Sequence, residues 1–358
     1  MRKIQAVLVL AVLMCCGCSD YLSPKRKTIA MNVNTGDVNL EMDYNTKSGF
    51  VAADPFTGAP SKDNSLDVCL WYSYDPGKYL HNPQPPQYIP CFTTAKYTSA
   101  DRVEIKTGES SLLYPIASDS NYGSTNEGKV YCAGFSPAEG WNTSESSETV
   151  TTTSHIINGE YDIMFADQMI GSYSDNFPAQ TFRHLLTWVK INMSATSIAA
   201  SKVWGNVESL EIVSPKSNVS ISVPGVDDEG KLITSSVSYE GESAEFQVKL
   251  PTDKSLSITT KTFGQVFCAP PAANAEGGDG ELGYTIRVKT SNMPEKKIFV
   301  ALKKEDNTTS VGEGDAIGKL FVINLHFNDI AIIEGVCTLK QWDDQSSDIY
   351  FQQPSQNQ

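Results

Sequence analysis

Basic residues and histidines are scarce in this chain of 358 residues. Lys and Arg number 28 against 42 Asp and Glu, which gives a formal net charge of −14. Nucleic acids and anionic lipid head groups both bind to cationic surfaces, so neither is favoured as a partner. The four histidines include no pair at the spacing of metal ligands, and we therefore expect no metal site.

Motifs of nucleotide binding and nucleophilic catalysis are also missing. The chain contains no GxSxG elbow, no phosphate-binding loop and no glycine-rich loop that leads into a helix. We therefore expect a protein that is not an enzyme and needs no cofactor. A β-sandwich glycoside hydrolase stays open as an alternative, because that chemistry needs only two carboxylates brought together by the fold.

Long segments with the 3.6-residue apolar period of a helix are absent as well. Alternation with a period of two is frequent instead, and strands such as 66–74, 187–193, 256–262 and 320–327 are predicted from it. The Ser- and Thr-rich run at 142–155 predicts a mobile loop. Strands at this spacing are typical of antiparallel β-sandwiches.

A central stretch at 160–195 separates two regions that both have this strand pattern. It consists of two apolar runs around a polar loop that contains proline. We predict one β-sandwich domain at 28–182 and a second at 183–358, which is an ordinary size for each.

The N-terminus is predicted to be a lipoprotein signal peptide. An apolar run at 4–14 follows two basic residues, and it is too short for a permanent membrane span. Cys18 follows a glycine and is the candidate for lipidation, with Cys16 as a weaker alternative and a plain secreted protein as another. Residues 1–17 would then be removed and 18–27 would form a tether, so that the chain meets a membrane only through its lipid.

Five further cysteines follow at Cys69, Cys91, Cys132, Cys268 and Cys337. Their number is odd and no two have CxxC spacing, which disfavours a metal cluster. We expect Cys69 and Cys132, which lie in strand-like segments, to be buried free thiols that pack as small apolar groups. One disulfide among the five stays open.

Several short motifs occur in a fixed order along the chain. They are a Tyr-Pro turn, a corner that ends in Ser-Pro, an aspartate followed by an apolar strand, and a Phe-x-His element before a strand. Their positions are Tyr114-Pro115, Phe135-Ser136-Pro137, 162–166 and 182–184. With the closing GKLFVINLHF and TLKQW, they resemble the fimbrillin family of Bacteroides-type bacteria over nearly the whole chain.

The resemblance implies two transthyretin-like antiparallel β-sandwich domains in tandem and a structural or adhesive role in a cell-surface fimbria. In that family a lipidated precursor reaches the outer membrane. A trypsin-like protease then removes the lipidated segment with the first strand, and a neighbouring subunit supplies a strand to the vacated groove. The implied partners are other fimbrial subunits, the protease, and a host or bacterial surface ligand.

We expect residues 28–33, called the opening strand below, to be the strand that is removed. Ile29, Met31 and Val33 alternate on one face, and the run begins at Thr28 directly after the predicted tether. The cut must fall beyond this strand, where Lys47 is the first basic residue. Lys47 is therefore the candidate processing site.

A second hypothesis is an outer-membrane surface lipoprotein that binds glycan. Exposed rings such as Trp71, Trp141 and Trp204 would then stack on sugars. We prefer the interpretation that these tryptophans pack in the core or at a domain interface, because tryptophan is highly buried on average.

Overall fold

The structure of the chain is a computed structural model. It describes residues 129–143, 152–172, 180–273, 280–303, 310–330 and 333–340 as continuous stretches. Shorter described pieces are 30–31, 33–34, 66–73, 79–80, 92–97, 103–104, 106–107, 110–111, 149–150, 175 and 177.

Strands dominate these residues, so the predicted all-β fold with antiparallel sheets is confirmed. A short helix, α1 Ile198–Trp204, and a 3-10 turn at Glu313–Asp315 accompany them. The strands are β1 Ala30–Met31, β2 Val33–Asn34, β3 Leu66–Ser73, β4 Tyr79–Leu80, β5 Phe92–Tyr97, β6 Val103–Glu104, β7 Lys106–Thr107, β8 Ser110–Ser111, β9 Lys129–Ser136, β10 Trp141–Thr143, β11 Thr149–Val150, β12 Thr152–Ile156, β13 Met164–Ser172, β14 Gln180–Thr181, β15 Arg183–His184, β16 Thr187–Ala195, β17 Val207–Ser214, β18 Asn218–Ser222, β19 Ser236–Glu240, β20 Ala244–Gln247, β21 Lys261–Cys268, β22 Ala272–Ala273, β23 Leu282–Thr290, β24 Lys296–Ala301, β25 Leu320–Phe327 and β26 Ile333–Lys340.

Two sheets of the C-terminal half enclose one hydrophobic core. The first has the order β21-β16-β25-β26, and in the second β20, β17, β22 and β24 assemble around β23. Ile191 and Ile323 from the first sheet and Ile286 from the second are fully buried in the same core. Burial of each such side chain stabilises the fold by about 1.5–3 kcal/mol. The alternating burial along β25 shows why a period of two predicted its bounds correctly.

The N-terminal half contains a five-stranded sheet with the order β15-β13-β9-β3-β5. Its middle strand, β9, is buried at every position from 130 to 136. Trp71 and Phe135 pack in the core on one side of this sheet, with ring centroids 4.5 Å apart. A strand that is apolar along its whole length fits the middle of a sheet covered on both faces.

A third sheet crosses the predicted domain boundary at 182–183. Its order is β10-β12-β18-β19, so two of its strands precede the boundary and two follow it. Five residue pairs join β12 to β18, with Ser154 opposite Ser220 at the centre. The hydrophobic core is likewise continuous, from Trp71 in the N-terminal half to Phe327 in the C-terminal half.

Two local predictions were wrong. The run at 142–155 is not simply a loop, because β12 forms within it and buries Thr153 and His155. The alternation at 256–262 does not form a strand until Lys261, where β21 begins. Leu256 is buried there and Ile258 is 61% exposed. The Ala195 amide donates to the Ser257 carbonyl at 2.7 Å, so this segment contacts the end of β16 without forming a ladder.

The helix α1 was not predicted, since seven residues are too few for a visible helical period. Ser197 caps its first turn by accepting a hydrogen bond from the Ala200 amide at 3.0 Å. Trp204 at its other end is fully buried and donates from Nε1 to the Asn328 carbonyl at 2.7 Å. In the described part of the chain, helices with the length and apolarity of a membrane span do not occur.

Candidate functional site

The opening strand is the first element that the structure pairs with others. Ala30 and Met31 form β1 and lie opposite Glu104 and Val103 in an antiparallel ladder with β6. β2 forms a parallel ladder with Gln180–Thr181, which is β14. Among the described residues of this segment, two pairs join it to β6 and two join it to β14.

The parallel partner, β14, continues directly into the buried part of the N-terminal half. Phe182, the next residue, is fully buried. The following strand, β15, pairs with the start of β13, where Met164 lies opposite His184 and Phe165 opposite Arg183. The Arg183 guanidinium lies 5.6 Å from the centre of the Phe165 ring. The strand that pairs with β2 is thus anchored in the core through Phe182.

A buried pair of ionisable side chains lies at this anchor. His184 Nδ1 donates a hydrogen bond to Asp162 Oδ2, and only 5% and 1% of the two residues are exposed. Burial raises the pKa of Asp162, and the charge and hydrogen bond of His184 offset part of this rise. The sequence placed these residues in two separate motifs of the fimbrillin resemblance, and the fold brings the motifs together.

The chain between His184 and β16 is fixed to both halves. The Leu185 amide donates to the Ile163 carbonyl at 2.9 Å, and the Gly318 amide donates to the Leu186 carbonyl at 3.0 Å. Gly318 has φ 64° and lies so close to His184 that an added Cβ would be 3.3 Å from the His184 Cβ. A side chain there would strain the backbone and crowd this junction.

Side chains of the C-terminal half complete the junction. The Tyr239 hydroxyl donates to the Leu185 carbonyl. Ser235 Oγ donates to Asp167 Oδ1 at 2.5 Å, and Gln168 Nε2 donates to the Gly225 carbonyl at 3.0 Å. Together with the β12–β18 ladder, these bonds connect the two halves of the chain.

The tryptophans proposed for sugar stacking pack against the protein itself. Trp71 is 1% exposed and Trp204 is fully buried, so neither ring can meet a ligand. Trp141 is partly buried; its ring centroid is 5.0 Å from that of Phe135, and its Nε1 donates to the Pro137 carbonyl at 2.7 Å. The core-packing interpretation is confirmed for Trp71 and Trp204.

The described cysteines are buried free thiols, as predicted for Cys69 and Cys132. Cys69, Cys132, Cys268 and Cys337 form no disulfide with one another. Burial raises the pKa of Cys69 and Cys337 to about 12, and that of Cys132 and Cys268 further still. Thiols with such pKa values are protonated and unreactive at neutral pH. Cys91 lies outside the described residues.

Several predicted site residues also lie outside the described residues. They are the lipidation candidate Cys18, the processing candidate Lys47, and Thr28 and Ile29 of the opening strand. Met31 and Val33 lie in β1 and β2. Across the parts of the chain that the structure does describe, His, Cys, Asp and Glu form no group of three or more that could hold a metal ion.

Comparison with solved structures reveals proteins of similar fold. A candidate cell adhesion protein from Bacteroides uniformis ATCC 8492 matches with a TM-score of 0.50 at 11% identity, over 88% of this chain and 98% of that one. A candidate cell adhesion protein from Bacteroides ovatus ATCC 8483 matches with a TM-score of 0.45 at 14% identity, over 88% and 98% of the two chains. A fimbrial assembly protein from Parabacteroides distasonis ATCC 8503 matches with a TM-score of 0.40 at 12% identity, over 89% and 97%.

No protein-family model matches the sequence, and no curated protein matches it either. The Bacteroides uniformis match shows a shared fold.

Proposed function

We propose that this chain is a structural or adhesive subunit of a cell-surface fimbria. It is exported as a lipoprotein, reaches the outer membrane through an acyl chain on Cys18, and loses its opening strand to a trypsin-like protease. A neighbouring subunit then adds a strand to the vacated groove. The observation that carries the proposal is the fold, which is shared with a candidate cell adhesion protein; the pairing of the opening strand with both β6 and β14 supports its part in the exchange.

The pairing of the opening strand with two other segments gives strand exchange a physical basis. Once the strand leaves, the backbone groups of β6 and β14 that faced it lack partners. Such an edge accepts a strand from another chain.

The firm connection between the two halves also supports this role. A subunit that transmits tension along a fibre must not separate internally. The β12–β18 ladder of five residue pairs and the hydrogen bonds at Leu185, Asp167 and Gln168 supply that connection. The fold is shared with a candidate cell adhesion protein, which agrees with a surface role.

Limited proteolysis of the purified chain tests the proposal. Trypsin treatment is expected to give a ladder of polymers on gels of unboiled samples, and N-terminal sequencing is expected to begin at Ser48. Lys47→Gln should abolish both results. Lys27→Gln is the matched control, since a cut there leaves the opening strand attached, and it should polymerise as wild type does. Surface-released protein that begins at Ser19 or Thr28 would contradict the proposal, as would polymerisation of Lys47→Gln.

Of the three tryptophans named for glycan binding, one has a ring that is not fully buried. Trp71 and Trp204 are buried, and only the partly buried Trp141 could offer a ring edge to a sugar. Saturable binding on a glycan array that is lost in Trp141→Ala, without polymer formation after trypsin, would favour that alternative over the fimbrial subunit.

A further inference from the structure

His155 has a backbone carbonyl oxygen in front of each of its two ring nitrogens. Nδ1 lies 2.8 Å from the Ile156 carbonyl oxygen, and Nε2 lies 3.0 Å from the Glu139 carbonyl oxygen. A carbonyl oxygen only accepts hydrogen bonds, whereas a neutral imidazole carries a proton on just one nitrogen. The neutral ring would therefore satisfy one carbonyl and turn a lone pair toward the other. The doubly protonated ring, an imidazolium, donates to both.

The surroundings of His155 suit a buried cation. The residue is only 2% exposed, and burial of a charge is costly unless hydrogen bonds compensate for the lost water. The two carbonyl oxygens provide such bonds, which are stronger when the donor is charged. The ring centroid of His155 also lies 4.9 Å from that of Trp141 and 5.8 Å from that of Tyr161, and nearby aromatic rings are polarisable neighbours for a cation.

One of the two bonds fastens a surface corner between β9 and β10. The Glu139 carbonyl belongs to this corner, whereas His155 belongs to β12. Gly140 permits the close approach, because its φ is 87° and an added Cβ would lie 2.6 Å from His155 Nε2. Trp141 Nε1 also holds the corner, by donating to the Pro137 carbonyl at 2.7 Å. Of these two side chains, the histidine is the one that titrates.

The strand that carries His155 is an inner strand of the sheet that joins the two halves. This sheet, β10-β12-β18-β19, is called the crossing sheet below. His155 lies opposite Trp141 of β10 on one side and Val219 of β18 on the other. Because β18 follows the boundary between the halves and β12 precedes it, a change at His155 acts on the ladder that connects them.

Other ionisable groups near the ring come from the corner, from the segment after β12 and from β19. Glu139 and Glu160 have exposed side chains. Burial, together with the charge of Glu160, raises the pKa of Tyr161. Tyr239 lies in the same row of the crossing sheet, two strands from His155, and burial raises its pKa as well. Both tyrosines therefore stay neutral at the pH at which histidine titrates. The strands β10 and β18 contain no ionisable side chain.

We propose that His155 makes the crossing sheet pH-dependent, by donating to both carbonyls when its ring is doubly protonated. When the ring loses a proton, one hydrogen bond is replaced by repulsion between a nitrogen lone pair and a carbonyl oxygen. The corner and β12 are then held less firmly, and the connection between the two halves weakens. The proposal concerns a single chain and goes beyond the fimbrial function, so it stands or falls independently of strand exchange.

The direction of the effect follows from linkage between protonation and folding. In the unfolded chain the ring lacks the two fixed carbonyls, so the folded chain binds the second proton more readily. Folding is therefore favoured at low pH. This contribution is lost as the pH rises through and above the range near about 6.5 in which an unperturbed histidine titrates.

Nuclear magnetic resonance of the full chain, with isotope-labelled histidine, tests the protonation state directly. Over a series from about pH 5 to pH 8, we expect His155 to keep both ring protons to a higher pH than His326 does. His326 is a strict reference, because the exposed Glu334 opposite it on β26 favours its charged form. A His155 ring that loses its second proton at the same pH as His326, or at a lower one, would overturn the proposal.

The resonances of His155 are assigned by their absence from His155→Gln. If that variant does not fold, correlation with the backbone of residue 155 in the wild-type chain gives the assignment, so the measurement needs no variant.

Urea denaturation tests the effect on stability. We divide the folding equilibrium constant of wild type by that of His155→Gln, and we expect this ratio to fall about tenfold between about pH 5.5 and pH 7.5, because a hydrogen bond from a charged donor is lost. A ratio that stays constant or rises with pH would contradict the proposal.

His326→Gln is the matched control. His326 Nδ1 lies 2.9 Å from Ser194 Oγ, and a hydroxyl donates as well as accepts, so both forms of this ring are satisfied. Its only charged neighbour across the ladder, Glu334, is exposed, and the corresponding ratio should therefore change by less than about twofold over the same pH range. An equal fall for both variants would show that the two carbonyls at His155 have no special effect.

Discussion

The opening strand and β16 differ greatly in how the chain holds them. β16 is an inner strand, with eight parallel pairs to β25 and seven antiparallel pairs to β21. In the described residues of the opening strand, two pairs join it to β6 and two join it to β14. Both segments alternate apolar residues with a period of two, so the local pattern does not distinguish a strand that stays from the one that we propose to leave.

The comparison shows that β16 is too deeply embedded in the fold to be exchanged. Ladder bonds are formed and broken cooperatively in a long strand, and the side chains of β16 at Val189, Ile191 and Met193 are fully buried as well. Removal of β16 would destroy the core of the C-terminal half. In the proposed assembly the opening strand leaves while that core persists, which makes local release distinct from global unfolding.

The largest effect is expected from a cavity under β16. Ile191→Ala should lower the free energy of unfolding by about 2–5 kcal/mol, because a fully buried side chain is truncated in a packed core. Urea denaturation measures this loss. The matched comparison is a chain that begins at Ser48, which should keep the slow hydrogen exchange of β16. A loss below about 1 kcal/mol in Ile191→Ala, or rapid exchange of β16 in the shortened chain, would contradict the distinction between the two strands.

A smaller effect that depends on pH is expected at the buried pair of Asp162 and His184. The raised pKa of Asp162 means that its carboxyl binds a proton more readily in the folded than in the unfolded chain. This residue therefore favours folding at low pH, and the contribution is lost as pH rises through the raised pKa. Asparagine does not titrate, so the stability of Asp162→Asn relative to wild type should increase from about pH 4 upward.

Urea denaturation of both proteins between about pH 4 and pH 6 checks the direction of this change. A difference that stays constant, or that decreases with pH, would show that His184 compensates fully for the burial of the carboxyl.

The junction between the two halves should respond by about 1 kcal/mol to the loss of one hydrogen bond. Tyr239→Phe removes the donor to the Leu185 carbonyl and keeps the ring. Urea denaturation should show the loss, whereas hydrogen exchange at 30–34 should stay as in wild type. Faster exchange there would mean that the junction at Leu185 is coupled to the opening strand.

The smallest effect is expected on the outer surface of the C-terminal half. Arg287 and Glu245 form an ion pair at 2.8 Å, but their side chains are 30% and 51% exposed. Glu245→Gln should therefore change the free energy of unfolding by less than about 0.5 kcal/mol, because solvent screens exposed pairs. A loss that exceeds about 1 kcal/mol and disappears in roughly 1 M salt would show that this surface contributes more than the screened pair can explain.

The prediction of individual strands succeeded where one face is buried and the other is not. β25 has the predicted bounds, and β3 at Leu66–Ser73 lies within the strand predicted at 66–74. The prediction failed at β12, whose Thr-rich sequence resembles a loop but is stabilised by β18 from the other half. It also failed at 256–260, where the chain bonds to the end of β16 through Ser257 without forming a ladder. In both cases tertiary contacts outweighed local composition.

The candidate site was predicted only in pieces. The sequence indicated the opening strand, the aspartate motif at 162–166 and the Phe-x-His motif at 182–184 as separate features. Asp162 and His184 bond to each other, and β14 pairs with the opening strand. Both contacts depend on pairings between segments that are distant in the sequence. No local period encodes such pairings.

The all-β class followed from the alternation of apolar residues, because a pleated strand converts a period of two into one buried face. The choice of neighbours came from the three-dimensional fold. β16 and β25 run parallel, and the sheet β10-β12-β18-β19 joins the two halves. Hydrogen bonds between strands connect backbone groups that every residue except proline carries, so side-chain packing across the whole core selects which strands meet.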